Sequence, residues 1–457
     1  MEFLNLLVGK VGSFAWGPVM IVLLVGTGVI LTLATRVVQF RKLFFAFKLL
    51  FSTDHHGKGD ITPFQALMTS LSATIGTGNI AGVATAIAAG GPGAIFWMWV
   101  TGAFGGAVKF GEAVLAVKYR ITNENGEQSG GPMYYIKHGM KEKFGGNWGW
   151  LGWCFALFGF VASFGIGNMV QSNSVASAMN SFMKIPFWVT GILIAVAVAL
   201  VIIGGIKNIA KVTSKVVPIM AVFYILGSII VLIAKANLIP QAFGLIFSNA
   251  FSDAAVGGGL VGTVIRYGVA RGVFSNEAGL GSAPIAHAAS KIQDPATQGI
   301  IASLGSFIDT LIVCTMTALV ILVSGLISFN TDGLMSVSDS LSGAALTSGA
   351  YAKSLPGVGE FIVSFGLIFF AFSTILGWYY YGSKCLEYIA GVKAVEIYKW
   401  VWVVLVFVGA TVPLNFVWNL SDAFNGLMAI PNLIALLALC PVIVTLLKTY
   451  EKEKNSP

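Results

Sequence analysis

Residues 72–86 read Ser72-Ala73-Thr74-Ile75-Gly76-Thr77-Gly78-Asn79-Ile80-Ala81-Gly82-Val83-Ala84-Thr85-Ala86 and sit inside an apolar run from 63 to 91. Glycines and hydroxyl residues packed this densely make a poor continuous helix. A stripe of small residues can simply serve close helix packing. The other reading is a helix that breaks at mid-membrane. Unwinding there frees N–H groups that can hold a carboxylate and carbonyls that can ligate a cation. The second half of the chain repeats the pattern. Asn79 to Ala86 and Asn276-Glu277-Ala278-Gly279-Leu280-Gly281-Ser282-Ala283 both read N-x-A-G-(V/L)-(A/G)-(S/T)-A. The partner break is expected within Gly272-Val273-Phe274-Ser275-Asn276-Glu277-Ala278-Gly279. Paired breaks at matching positions are the best sequence pointer to a transporter site.

Outward from these two stretches, apolar runs predict eleven spans, at 15–35, 63–91, 93–118, 151–178, 186–205, 214–235, 256–289, 297–327, 358–382, 400–414 and 418–447. A bilayer-crossing helix needs about 20 mostly apolar residues, which these runs supply. The run at 15–35 reads as a true first span rather than a cleavable signal, because Arg36, Arg41 and Lys42 follow it. Phe40, Leu43, Phe44, Phe47, Leu50 and Phe51 recur at helical spacing beside Arg41, Lys42 and Lys48, as in a helix lying in the membrane interface. The longest polar loops are 119–150 and 328–357.

The two marked spans are five helices apart, and an odd offset inverts the second unit. The expected division is therefore an additional first helix at 1–35, an interfacial helix and loop at 36–62, a first five-helix repeat at 63–235, a linker at 236–255, an inverted repeat at 256–449 and a tail at 450–457. With the N-terminus outside, twenty Lys and Arg residues fall in inner loops and four in outer ones. That asymmetry orients the chain N-terminus out, C-terminus in.

Composition agrees with this all-α polytopic membrane protein. Apolar residues make up 56% of the 457, charged residues only 10%, and mean hydropathy is +0.84. Soluble enzymes, disulfide scaffolds and disordered regulators are excluded. Glycine, at 55 residues, stands near double its usual ~7% share. The net charge of +8 sits in loops between apolar runs and follows from membrane orientation, not from nucleic-acid binding. Cys154, Cys314, Cys385 and Cys440 share no metal-ligand spacing, and His55 and His56 read as solvated loop residues.

Further polar groups lie inside the spans. Phe372-Ser373-Thr374-Ile375-Leu376-Gly377-Trp378 carries adjacent hydroxyls, which either bond back to their own helix or supply oxygens to a hard cation. Phe164, Asn168 and Gln171 share one helical face, as interhelical contacts or as a substrate lining. Lys109, Glu112, Arg266, Arg271, Glu277, Asp309 and Asp422 are ionisable groups at membrane depth, and so candidates for function. Lys109 and Glu112 have the spacing of a local ion pair; Arg271 and Glu277 flank the second break, to gate it or to pair. A channel needs no paired helix breaks, and a membrane enzyme needs a catalytic constellation that the spans do not carry. A secondary transporter explains the breaks, the repeat and the lack of a nucleotide-binding motif.

Gly90-Gly91-Pro92-Gly93-Ala94-Ile95-Phe96-Trp97-Met98-Trp99-Val100 resembles the signature of the alanine or glycine:cation symporter (sodium:alanine symporter) family. Thr74 to Gly82, Arg271 to Pro284, and Asn425-Gly426-Leu427-Met428-Ala429-Ile430-Pro431-Asn432 resemble further blocks of it. Gly102 departs from the pattern, where the family usually carries alanine or another small residue. The resemblance implies eleven helices with a LeuT-type core of two inverted five-helix repeats, and symport of alanine or glycine with sodium as the co-transported ion. Proton coupling is the alternative. Carried over by position, the Thr77 and Gly78 amides would hold the substrate carboxylate. Asn79, Gln171 and Asn276 would add polar contacts beside Asn168 and Ser275, and Phe164, Phe274 and Trp378 would close a small pocket. Ser373 and Thr374, with carbonyls near Ser72 and Ile75, would form the sodium site. The partners implied are a small neutral amino acid and the lipid bilayer of a prokaryotic cell membrane. Neither nucleic acid nor an obligate protein partner is expected.

Overall fold

The computed structural model describes residues 2–52, 57–251, 260–329, 335–337, 341–412 and 414–455. His55 and His56 lie outside the described residues, as do the first four positions of the predicted seventh span.

The chain opens with α1 (Glu2–Ala15) and α2 (Pro18–Ala34), joined at Trp16-Gly17 into one apolar stretch from Val8. The first span therefore starts earlier than position 15. A single turn at Val38–Arg41 leads to α3 (Leu43–Leu50), whose Phe44 is 87% exposed and whose Ala46 and Leu50 are buried. That two-sided character suits an interfacial helix.

α4 (Pro63–Thr74) starts where a helix should. Thr62 Oγ1 accepts the Gln65 N–H at 3.2 Å, Gln65 Oε1 accepts the Thr62 N–H at 3.0 Å, and Pro63 fills the first turn. It ends at Ile75, whose ψ of 96° is extended, and α5 (Gly78–Gly90) leaves at 51° to it. The predicted break in the second span is therefore present. α6 (Gly93–Lys118) follows, and then the 119–150 segment, which is not a bare loop. It folds a short hairpin of β1 (Ile121–Thr122) and β2 (Gln128–Ser129), and a helix, α7 (Pro132–Phe144).

α8 (Gly149–Met183), α9 (Phe187–Ile202), α10 (Gly205–Ala234) and the shorter α11 (Ile239–Ala250) complete the first half. The second half runs α12 (Leu260–Asn276), α13 (Ala283–Ala288), α14 (Pro295–Val323), α15 (Gly343–Ser354), α16 (Gly359–Ala390), α17 (Val392–Thr411) and α18 (Asn415–Asn455). Eight helices among the described residues are long and apolar enough to cross a bilayer, nine if α4 and α5 form one span. The chain is a multi-pass, all-α membrane protein. α9, 16 residues long, and the broken pair α12–α13 fall short of that test.

The second break falls at the C-terminal end of the expected stretch 272–279 and runs past it. α12 runs unbroken through Gly272 to Asn276, and the chain unwinds over Glu277 to Ser282. Helical order persists through the glycine because the turn needs left-handed backbone only later, at Glu277 (φ 57°), Gly279 (φ 89°) and Gly281 (φ 83°).

α6 packs along α12 and α14, and α10 along α4 and α16. α8 lies against α16 and α18. The ends of the two broken units are laced together. Asp60 and Ile61 N–H groups both reach the Ala289 carbonyl, the Lys291 N–H reaches that of Ile61, and Arg120 donates to the carbonyls of Ala288, Ser290 and Ile292 at 2.9, 2.6 and 3.1 Å.

Candidate functional site

Among the described residues, three π-helical turns interrupt the membrane helices: Gly78–Gly82, Gly165–Met169 and Phe307–Cys314. The first two carry the fully buried Asn79 and Asn168, and the third carries the fully buried Asp309 and Thr310. Such turns offset side chains from the regular ladder and are frequent at functional sites.

The two broken spans meet where Gly78 of the first touches Ser275 in the last turn of α12, just before the second break. A Cβ there would lie 3.2 Å from Ser275 Cα and 3.3 Å from Phe274 Cδ1, so a side chain at this position would press the two spans apart by a few tenths of an ångström. Each break is capped by its own asparagine. Asn79 Oδ1 accepts the Gly76 N–H at 2.9 Å, and Asn276 Oδ1 accepts the Ala278 N–H at 2.9 Å. The amide nitrogens then reach neighbouring residues of α14. Asn79 Nδ2 donates to Asp309 Oδ1 at 2.7 Å, and Asn276 Nδ2 to Thr310 Oγ1 at 3.1 Å. Ser275 Oγ and Thr310 Oγ1 both donate to Asp309 Oδ2, at 2.9 and 2.8 Å. Asp309 thus accepts three donors, one from each break and one from its own helix, which is the pattern of a carboxylate. Sequence reasoning found Asp309 only as a charge at depth; nothing in the linear pattern places it between the breaks. The departure at Gly102 bears on this point. A methyl there would come within 2.9 Å of Thr310 Cγ2, so the glycine makes room for the residue beside Asp309.

The second break is held from other sides as well. Glu277, with its strained positive φ, accepts Trp378 Nε1 at 3.0 Å and Ser282 Oγ at 2.7 Å. It does not pair with Arg271. Glu112 Oε1 accepts the Gly279 N–H at 3.1 Å and Asn432 Nδ2 at 2.7 Å, and Tyr135 bonds to Asn432 in turn. The expected Lys109–Glu112 hydrogen-bonded pair does not form. Glu112 is taken by the break, and the ammonium of Lys109, 1% exposed, has no hydrogen-bond partner among the described residues. The carboxylates of Glu277, Asp309 and Glu112 lie within its electrostatic reach.

Around the first break, Gln171 Nε2 donates to Thr77 Oγ1 at 3.2 Å and to the Ile166 carbonyl at 2.9 Å, while its Oε1 stays unpartnered. On α16, Ser373 Oγ reaches the Ser72 carbonyl at 3.4 Å and the Phe370 carbonyl at 2.9 Å. Thr374 Oγ1 donates to Phe370 O at 2.9 Å and lies 2.6 Å from where a Gly76 Cβ would stand. The Gly76 N–H, which would have closed the next turn on Ser72, is turned to Asn79 instead. Both hydroxyls therefore bond back to their own helix and also face the frayed end of α4 at Ser72 to Gly76. Oxygen-rich, uncharged and buried, this corner has the donor chemistry a hard monovalent cation requires.

The three aromatic residues expected to wall one pocket each have different neighbours. Trp378 is buried against Gly167, and Phe274 against Gly78. Phe164 stacks instead with Phe160, Tyr398 and Trp402, at ring-centre distances of 5.0, 5.3 and 6.1 Å. Asn168 Nδ2 donates to the Trp402 carbonyl at 2.9 Å. Phe164 and Asn168 thus face α17 rather than the breaks, because the π turn at Gly165 rotates them away from Gln171.

A comparison with known proteins supplies what geometry alone does not. The sequence profile described as the Sodium:alanine symporter family matches residues 1–457. A sodium/alanine symporter, AgcS, of Methanococcus maripaludis is 52% identical over 100% of this chain and 99% of its own. A transporter of Haemophilus influenzae is 47% identical over 97% and 95%, and a probable sodium/glutamine symporter, GlnT, of Bacillus subtilis 36% identical over 100% and 92%. Among solved structures, a manganese transporter of Eremococcus coleocola superposes with a TM-score of 0.50 over 86% of this chain and 82% of its own, at 13% identity. That likeness concerns the fold alone.

Proposed function

Because the chain belongs to the sodium:alanine symporter family, and is therefore an amino-acid transporter and not an enzyme, we propose that it carries small neutral amino acids, alanine and glycine, inward with sodium by alternating access. The observation that carries this reading is the meeting of two broken helices at Gly78 and Ser275, with Asp309 bonded to both. Freed amide groups at Thr77 and Gly78 hold the substrate carboxylate, helped by the positive end of α5. Gln171, whose Oε1 has no partner, and Asn79, Ser275 and Asn276 complete the polar wall, with Phe274 and Trp378 limiting its size. Sodium sits between the Ser373 and Thr374 hydroxyls and the carbonyls of Ser72 and Ile75.

On this reading α9 and the α12–α13 pair complete eleven spans. The units α4 to α10 and α12 to α18 form the two inverted repeats of a LeuT-type core, with the N-terminus outside the cell membrane. The Haemophilus and Bacillus relatives support transport in general, and AgcS supports alanine with sodium. Purified protein in proteoliposomes provides the test. An inward sodium gradient should concentrate alanine above its outside level, and replacing sodium with potassium should abolish accumulation. Alanine that only equilibrates, with or without sodium, would refute coupling.

A further inference from the structure

A cavity of about 210 Å³ lies between α1, α12 and α18, lined by Trp16, Arg266, Arg271, Phe274, Asn419 and Asp422 among others. Charge inside a membrane helix is retained only where something offsets its desolvation. Here no hydrogen bond or ion pair among the described residues does so. Among the described residues the Arg271 guanidinium makes no hydrogen bond, its Nε is buried without a partner, and its Cζ lies 5.5 Å from the centre of the Phe274 ring. The Asp422 carboxylate accepts no hydrogen bond among the described residues, and the two groups form no ion pair although they influence each other across the cavity. Trp16 Nε1 fixes the turn that carries the carboxylate by donating to the Asp422 backbone carbonyl at 2.9 Å.

We propose that this cavity is a second, outer binding site for a zwitterionic small amino acid, its carboxylate taken by Arg271 with Arg266 and its ammonium by Asp422. The proposal rests on the transporter reading above. A water occupies about 30 Å³ of liquid, so the cavity has room for a molecule of alanine's size together with a few waters. An inorganic anion would satisfy the arginines but leave Asp422 unpaired; a zwitterion answers both charges at once. The floor also fits this role. Phe274 closes the cavity one helical turn beyond Arg271, and its ring edge lies against Gly78, where the proposed transport site begins. An amino acid held here waits on the far side of one phenylalanine from that site.

The test uses an Asn419→Cys variant, since Asn419 is exposed and lines the cavity, with Cys154 and Cys440 replaced by serine. The probe is L-alanine, read as protection from an uncharged maleimide in proteoliposomes without sodium, where the deep site is unloaded. Alanine should slow labelling several-fold, whereas propionate and ethylamine, each carrying one of the two charges, should not. Asp422→Asn and Arg271→Gln should each remove protection and raise half-saturation for uptake several-fold while the maximal rate holds. Labelling that alanine does not slow, in a variant that still accumulates alanine, overturns the outer site and leaves the transport reading intact. Protection by propionate equal to that by alanine overturns it in favour of a plain anion site. Should the parent protein itself accumulate no alanine, the transport reading fails separately. A Ser13→Cys variant probes the opposite wall and decides the matter if Asn419→Cys does not fold.

Discussion

Asn79 Nδ2 donates to Asp309 Oδ1 at 2.7 Å, joining residues 230 positions apart, while Asn79 Oδ1 caps the break of its own span. Through Ser275 the same carboxylate holds the second break, so Asp309 sets the spacing of both unwound segments. Asp309→Asn keeps the shape but replaces an acceptor with a donor facing Asn79 or Ser275. Losing a hydrogen bond to a charged group costs about 1.5–3 kcal/mol, or roughly ten- to hundred-fold in transport efficiency. Uptake that stays within twofold of wild type would remove Asp309 from the machinery.

Thr374→Val removes one hydroxyl with little change of shape. The lost back-bond to Phe370 is local to α16, so the protein should insert and fold normally. The sodium concentration for half-maximal uptake should rise sharply, with alanine affinity at saturating sodium little changed. Sodium titration of uptake reads this, and an unaltered curve in well-expressed protein would exclude Thr374 from the ion site.

Coupling to protons would require a carboxylate that gains and loses a proton during transport. Asp309, Glu277 and Glu112 are each bonded to donors at the breaks, whereas the uncharged oxygen cluster at Ser373 and Thr374 has the donor set that sodium requires. An imposed pH gradient in sodium-free buffer should therefore drive no alanine accumulation. Accumulation under those conditions would replace the sodium assignment with a proton one.

Substrate size should be set by Phe274 and Trp378. Glycine and alanine should bind, valine weakly, and leucine scarcely, since overpacking against rigid rings costs about 1–3 kcal/mol. Phe274→Ala should admit larger side chains. Phe164→Ala should not, because that ring packs on Tyr398 and Trp402. Competition of uptake by an amino-acid series separates the two, and wider selectivity in Phe164→Ala alone would reverse the assignment.

Lys109 is buried within electrostatic reach of the carboxylates of Glu112, Glu277 and Asp309. Lys109→Met preserves length and packing but leaves those anions uncompensated. Removing one partner of a buried charge set costs roughly 3–5 kcal/mol. The melting temperature in detergent should fall markedly, and Glu112→Gln in the same chain should restore part of it. An unchanged melting temperature in Lys109→Met would show that the ammonium carries no structural load.

Membrane insertion, the position of most helices and the existence of two helix breaks follow from the sequence by itself. Apolar run length against bilayer thickness fixes the first two, and local poverty of helix-forming residues at Ile75 to Gly78 fixes the first break. The echo of Asn79 in Asn276 was legible for the same reason: both residues cap freed N–H groups within three positions of themselves. Long-range partners were not legible. The second break begins at Glu277, late in the expected stretch 272–279, and Glu112, Trp378 and Asn432, from three other helices, hold the unwound turn where it is. Phe164 and Asn168 leave the candidate site because a π turn, invisible to a fixed helical period, rotates them toward α17. Asp309 joins the site through helix packing alone. A charge in an apolar run announces that something must satisfy it; only the arrangement of helices in space decides what.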